Sequence, residues 1–126
     1  MRLLLDTHAF LWWLTDDRKL GRKARTAITD SGSLVHVSAA SCWEVASKAT
    51  LGRIDLGGAD LAAEIAANGF VELPITVRHA LRAGGLPRHH ADAFDRMLVA
   101  QALVEELVLV TRDQVLGRYG VSLLAT

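Results

Sequence analysis

Apolar and polar positions along the chain change rhythm several times, and the changes predict alternating helices and strands. From Phe94 the positions Phe94, Met97, Leu98, Gln101 and Ala102 recur at helical spacing, and Met97 to Val104 is apolar nearly all round. That pattern predicts a helix buried over most of its surface. Glu105 and Glu106 interrupt the run, and Leu107-Val108-Leu109-Val110 has the continuous apolar character of a short strand buried on both faces, as in parallel sheets. A helix feeding a parallel strand runs antiparallel to it, so Asp92 and Asp95 at the helix start should share an edge with Asp113 at the strand end. Open α/β sheets bind their ligands on that edge.

The same reading extends along the chain. Leu3-Leu4-Leu5 predicts a buried strand ending at Asp6, with Thr7 able to start a short helix, apolar all round, that continues from Ala9 to Leu14. Asp16 to Lys19 reads as a loop, Gly21 to Ile28 as a basic helix, and Leu34 to Val37 as a second strand in which His36 is an interior or edge residue. A helix capped by Ser38 and ended by Gly52 follows. Ser41 and Glu44 have the spacing of a capping box, but with Ser38 as the cap Glu44 lies beyond the first turn and its carboxylate is free for other work. Asp60 to Ala67 is an amphipathic helix ended by Asn68-Gly69. Phe70 to Ile75 is a third strand, with Pro74 near a turn or sheet edge. Thr76 to Ala83 is a helix stopped by Gly84-Gly85, Leu86 to His90 a loop, and Tyr119 to Leu123 a last strand. Strands alternating with helices, without linker or repeat, predict a single α/β domain over residues 1–126 with a parallel sheet.

Composition narrows the class without changing this picture. Half of the 126 residues are hydrophobic, enough for a core without disulfides or metal staples. The one cysteine, Cys42, excludes an internal disulfide, fits a reducing compartment and reads as a small core residue. The apolar start resembles a signal peptide only superficially, because Asp6 and His8 interrupt it; no segment is long enough for a membrane span, and a soluble cytoplasmic protein is expected. Fourteen basic residues balance fourteen acidic ones, which argues against a general nucleic-acid coat but not against a locally polar site. Arg18, Lys19, Arg22, Lys23 and Arg25 form either a solvated helix face or a phosphate-facing patch. Phe10, Trp12 and Trp13 are more aromatic surface than one buried stripe needs, so they are either core or partner contact.

The topology carries four acids to one edge: Asp6 after the first strand, Glu44 early in the helix after the second, Asp95 opening a helix, and Asp113 after a late strand. Asp6 taken alone could simply cap a helix. Two carboxylates about 5 Å apart repel by roughly 3 kcal/mol at an effective dielectric near 20, so four ionised together need a cation or protons among them. Carboxylates without His or Cys suit hard, oxygen-seeking Mg²⁺ or Mn²⁺. Mg²⁺ shares its shell readily with phosphate oxygens, which points to phosphoryl chemistry, and the N-terminal dipole at Asp95 adds positive potential.

The segments LLLDTHAFLWW, SAASCWEV, DAFDRMLVAQAL and LVTRD resemble the PIN-domain ribonucleases, and in particular the toxin component of VapBC toxin–antitoxin pairs, over essentially the whole chain. The resemblance implies a three-layer α/β/α sandwich around four to five parallel strands. It implies a Mg²⁺- or Mn²⁺-dependent endoribonuclease leaving 5′-phosphate and 3′-hydroxyl ends, a cognate VapB-type antitoxin that covers the active-site groove, and a homodimer. Asp6, Glu44, Asp95 and Asp113 match the family's metal-binding acids, with Thr111 at a polar supporting position and Thr7 as a further supporting candidate. Relatives commonly carry Pro where this chain has Ala93, which puts the helix start in doubt. Asp92 is expected to cap that helix, with bonding to Arg96 or support of the metal as alternatives. Arg96 is expected to pair with Asp92 or to touch substrate phosphate; Arg112 and Lys48 are further phosphate candidates. His89 and His90 read as ordinary loop residues. Trp12, Trp13 and the helix from Asp60 are the candidate antitoxin or dimer contacts.

Other chemistries fit less well. A catalytically silent module binding RNA or a peptide would have no reason to keep four repelling acids. A phosphatase of the haloacid-dehalogenase type needs a second acid where His8 stands, and a phosphotransfer receiver needs an acid pair and a late lysine that are not evident.

Overall fold

The computed structural model describes residues 1–126. Five parallel strands run β1 Arg2–Leu5, β2 Leu34–Ser38, β3 Val71–Leu73, β4 Val108–Thr111 and β5 Leu123–Ala125, in the spatial order β3-β2-β1-β4-β5. The helices are α1 Thr7–Leu14, α2 Arg22–Thr29, α3 Ala39–Thr50, α4 Leu61–Ala67, α5 Val77–Gly85 and α6 Ala93–Glu105, with a 3-10 helix at Gln114–Tyr119.

Alternation within the strands assigns the layers. Leu3 and Leu5, Val35 and Val37, and Val110 face Phe10 of α1, Ala24 and Ile28 of α2, and Ile65 of α4. Leu4 and Leu109 face Leu98, Val99 and Ala102 of α6, together with Leu116 and Val121. The sheet is therefore covered on both sides, which is why its central strands read as unbroken apolar runs. A buried polar chain ties the second layer together: the Ser38 hydroxyl donates to Gln101 Oε1, Gln101 Nε2 donates to Pro74 O (3.3 Å), and His79 Nε2 meets Glu105 Oε1 (2.9 Å).

Three boundaries differ from expectation, each for a local reason. α5 runs through Gly84 and Gly85, because the Arg96 guanidinium ties off carbonyls at its end, donating to Ala83 O (3.1 Å) and Leu86 O (3.0 Å). The third strand is only Val71–Leu73, an edge strand closed by Pro74. The last strand starts at Leu123 and not Tyr119, because Asp113 caps a turn that continues to Tyr119 and is closed by Gly120 at φ 77°. By contrast, Asp92 caps α6 through Asp95 N–H (3.0 Å), so the helix starts at Ala93 without proline.

Candidate active site

The strand order reverses direction between β1 and β4, since the chain goes from β1 outward to β3 and then returns to the other side of β1. Crevices open at the carboxyl ends of strands where such a reversal occurs. Here the carboxyl end of β1 delivers Asp6 and that of β4 delivers Asp113, while the amino end of α6 brings Asp95. Asp6, Asp95 and Asp113 line one cleft of 310 Å³ together with His8, Trp12 and Arg112.

Each acid is held by its element. Asp6 is buried and accepts the Ala9 N–H (2.8 Å), so it does cap α1 while facing the cleft. The Thr111 hydroxyl lies near enough to the same carboxyl to favour its charged form. Asp113 Oδ1 accepts the Val115 N–H (3.0 Å), and Thr111 Oγ1 accepts the Asp113 N–H (3.1 Å). Thr111 thus acts on both acids that flank the switch point. Glu44 does not line the cleft; it is buried on α3 and its Oε2 accepts from Lys48 Nζ at 2.7 Å. Its charge nevertheless reaches the cleft, because it raises the pKa of both Asp6 and Asp95. Thr7 donates to Ser41 Oγ (3.1 Å), joining α1 to α3 below the acids.

The electrostatics are those of crowded negative charge. Asp95 is pushed up to about 7, first by burial, then by Asp92, with Asp6 and Glu44 adding to it and His90 opposing. Asp6 is also raised, chiefly by burial, against the pull of the Ala9 N–H, the Thr111 hydroxyl and His8. Desolvation and like charge both favour the neutral acid. A proton held on Asp95 near neutrality stands where a cation could stand.

Several sequence expectations change. His90 is no ordinary loop residue: its Nε2 lies 2.9 Å from Asp113 Oδ2 and 3.6 Å from Asp95 Oδ2, and the three side chains form a cluster whose ligand atoms lie within 4.8 Å of one another. The cluster is therefore not purely carboxylate. No motif spacing marked this histidine, because a loop of unpredicted shape brings it to the acids; His89 instead stacks edge-on against Tyr119. Arg96 does not pair with Asp92. Its guanidinium donates to the carbonyls of Ala83, Leu86 and Pro87 (2.9–3.1 Å) and also reaches His90 O and Tyr119 Oη. Four carbonyls between Ala83 and His90, with the Tyr119 hydroxyl, suit the planar fork of arginine better than one carboxylate at the start of its own helix. Lys48 is engaged by Glu44 and is not free for phosphate, whereas Arg112 remains exposed at the cleft with its guanidinium 5.9 Å from the Trp12 ring centre.

The aromatic pair divides. Trp12 lines the cleft, while Trp13, partly buried, packs on Phe70 at the margin of the first core layer and donates its Nε1–H to Asn68 (2.9 Å) at the surface. In the basic segment Arg25 is tied to Asp16 Oδ1 and to the Leu20 and Asp17 carbonyls, leaving Arg18, Lys19, Arg22 and Lys23 exposed. Burial raises the Cys42 thiol, in keeping with a packed and unreactive side chain.

The model of the PIN domain family matches residues 3–121, nearly the whole chain. The chain belongs to the PIN-domain family. PIN domains are in general nucleases that use divalent metals. Among solved structures this PIN domain is similar to VapBC2 from Rickettsia felis bound to a DNA fragment from their promoter (TM-score 0.75, 12% identity, 100% of this chain and 99% of that one). It is similar also to VapBC-1 from nontypeable Haemophilus influenzae (0.69, 18%, 99% and 98%). A third likeness is to DNA-bound VapBC from Salmonella typhimurium (0.68, 16%, 99% and 98%). At these identities the likeness is one of fold. No curated protein matches the sequence. No helix of this PIN domain is long and apolar enough to cross a membrane.

The donor set fits the metals that PIN nucleases use. Carboxylate oxygens dominate the cleft, and Asp6 and Asp95, raised chiefly by burial with like charge adding to it, are acids whose charged form a hard divalent ion would favour.

Proposed function

We propose that this PIN domain is a Mg²⁺- or Mn²⁺-dependent endoribonuclease and the toxin of a toxin–antitoxin pair. The observation that carries this reading is the gathering of Asp6, Asp95 and Asp113 in one cleft at the topological switch point, where burial first and then acidic neighbours push Asp95 up to about 7. Asp6, Asp95 and Asp113 would hold the metal, with Glu44 supporting it from α3. The bound ion would polarise the scissile phosphate and supply an activated water. Around it, Thr111 accepts the Asp113 N–H and favours the charged form of Asp6, and the α6 amino terminus would turn its positive dipole end toward the phosphate. Arg112 at the rim is free to take a neighbouring phosphate. A binding-only role gives no reason to keep acids that crowd and repel one another in one cleft.

Purified protein incubated with cellular RNA and Mn²⁺ should cut it internally, leaving 5′-phosphate ends on mapping, and EDTA should stop the cutting. Equal cutting in EDTA, or none with either metal, rejects the reading.

The partner side of the proposal rests on the likeness to VapBC complexes and on surface chemistry. An apolar groove of 380 Å³ between α3, α4 and β3, walled by Leu61, Ile65, Leu73 and Pro74, suits the apolar face of an antitoxin segment and includes the helix from Asp60. Homodimerisation fits a different face. Val77 (77% exposed), Leu81 (73%) and Trp43 (65%) are among the large apolar side chains most open to water, and Val77 and Leu81 stand one turn apart on α5. Leu81→Glu is expected to convert a dimer to a monomer by light scattering; a variant that stays dimeric moves the interface elsewhere. A cytoplasmic location goes with this role and with an unpaired cysteine.

A further inference from the structure

Asp113 sits at the start of a 3-10 helix with its side chain 38% exposed, more open than Asp95 at 27%. A carboxylate so placed has rotamers to lose before it can serve a cation. Both of its oxygens are nevertheless held: Oδ1 by the Val115 N–H (3.0 Å) and Oδ2 by His90 Nε2 (2.9 Å). The hydrogen-bond pattern assigns the tautomer of that histidine. The Asp92 backbone N–H points at His90 Nδ1 (3.0 Å), so Nδ1 must present a lone pair, and the ring proton therefore lies on Nε2, directed at Asp113.

The ring is itself fixed from behind. The His90 N–H donates to Tyr119 Oη (2.9 Å), and Arg96 gathers the carbonyls of Leu86 and Pro87 with those of Ala83 and His90. This bracket explains why Arg96 is turned away from both Asp92 and the cleft. Ligation of a metal by Nε2 would require the proton to move to Nδ1, which would set it against the Asp92 N–H.

We propose that His90 is a positioning residue for Asp113: its Nε2–H locks the outer carboxylate oxygen in place, and Arg96 and Tyr119 hold the loop that presents it. The inference rests on the proposed role of Asp113 at the metal. Histidine here acts as hydrogen-bond donor to the carboxylate and not as ligand, so the side chains that would hold a metal offer it oxygen alone, which favours hard cations.

Calorimetric titration with Mn²⁺ and histidine ¹⁵N spectra taken during a Mg²⁺ titration test this together. His90→Ala should weaken Mn²⁺ binding by about tenfold, the lower end for loss of such a partner. His90→Gln, whose terminal N–H can reach the same oxygen, should recover most of the loss. Melting of the metal-free variants separates a damaged site from a damaged fold; if His90→Ala melts too early to titrate, His90→Gln and the spectra decide. In the wild-type protein the Nε2–H form of His90 should persist at saturating Mg²⁺. Wild-type Mn²⁺ affinity in His90→Ala overturns the proposal, as does a switch of His90 to the Nδ1–H form on adding Mg²⁺, which would make it a ligand. Asp95→Asn serves as the reference: if it too binds Mn²⁺ normally, the metal reading itself has failed, whereas loss in Asp95→Asn with none in His90→Ala removes only the role of His90.

Discussion

Asp6→Asn should lower Mn²⁺-dependent RNA cleavage by about a thousandfold while leaving the fold intact. The two halves of this expectation come from two functions of one side chain. Asp6 Oδ1 accepts the Ala9 N–H at the start of α1, and asparagine caps a helix about as well as aspartate, so α1 keeps its start. What asparagine cannot supply is the negative charge. Removing one anionic ligand from a metal that stabilises phosphoryl transfer costs about 4 kcal/mol in the transition state, which is roughly three powers of ten. Asp6→Ala would confuse the two by also removing the cap, at a further cost to stability of about 1 kcal/mol. Cleavage within a few-fold of wild type in Asp6→Asn, measured with a circular dichroism spectrum matching the parent, would remove Asp6 from the chemistry.

What was legible in the sequence follows from where periodicity determines geometry. Leu3-Leu4-Leu5 and Leu107 to Val110 are too short and too uniformly apolar to be anything but strands covered on both faces, and once the helices between them are placed, parallel connection puts Asp6, Asp95 and Asp113 at one edge. Ser38 and Asp92 announced their helices by cap chemistry, and both hold that position. His90, Arg96 and the final strand were not legible for a shared reason. The contacts of His90 and Arg96 depend on the path of the loop from Leu86 to Asp92, and the start of β5 depends on the turn from Asp113 to Gly120. No repeat specifies either path. Arg96 was expected to pair with Asp92, as the local choice, but the loop offers it three carbonyls, Leu86, Pro87 and His90, to which the end of α5 adds Ala83 O and the 3-10 helix Tyr119 Oη. Glu44 lies between these cases: its helix was predictable, its place beside the cleft followed, and its pairing with Lys48 one turn on reduces the surplus charge that the four acids would otherwise share.

Burial and, after it, the remaining surplus of negative charge act on Asp95, and together they make metal-free stability run the unusual way with pH. The Asp95 carboxyl titrates near 3.8 when the chain is unfolded and about 7 when it is folded. Between those values the folded protein holds a proton that the unfolded chain has released, so stability falls as pH rises and the loss is complete above about 7. A shift of about three in pKa sets a ceiling of roughly 4 kcal/mol; partial exposure of the side chain lowers the expectation to about 2 kcal/mol, or roughly 8 °C in melting temperature for a chain of this size. Asp6 is raised in the same direction and adds to the trend. Ordinary surface carboxylates oppose it, so the measurement is a difference: in EDTA, Asp95→Asn should gain on the wild type from pH 5 to pH 8 by about two-thirds of that amount, roughly 5 °C, the rest of the change lying below pH 5. Millimolar Mg²⁺ should close the gap from the wild-type side, because the ion binds the ionised cluster and displaces the proton from Asp95. Melting curves for the two proteins that run parallel across this range in EDTA would mean that Asp95 ionises as easily as any exposed acid. The cleft would then lack the charge crowding on which its affinity for a divalent cation depends.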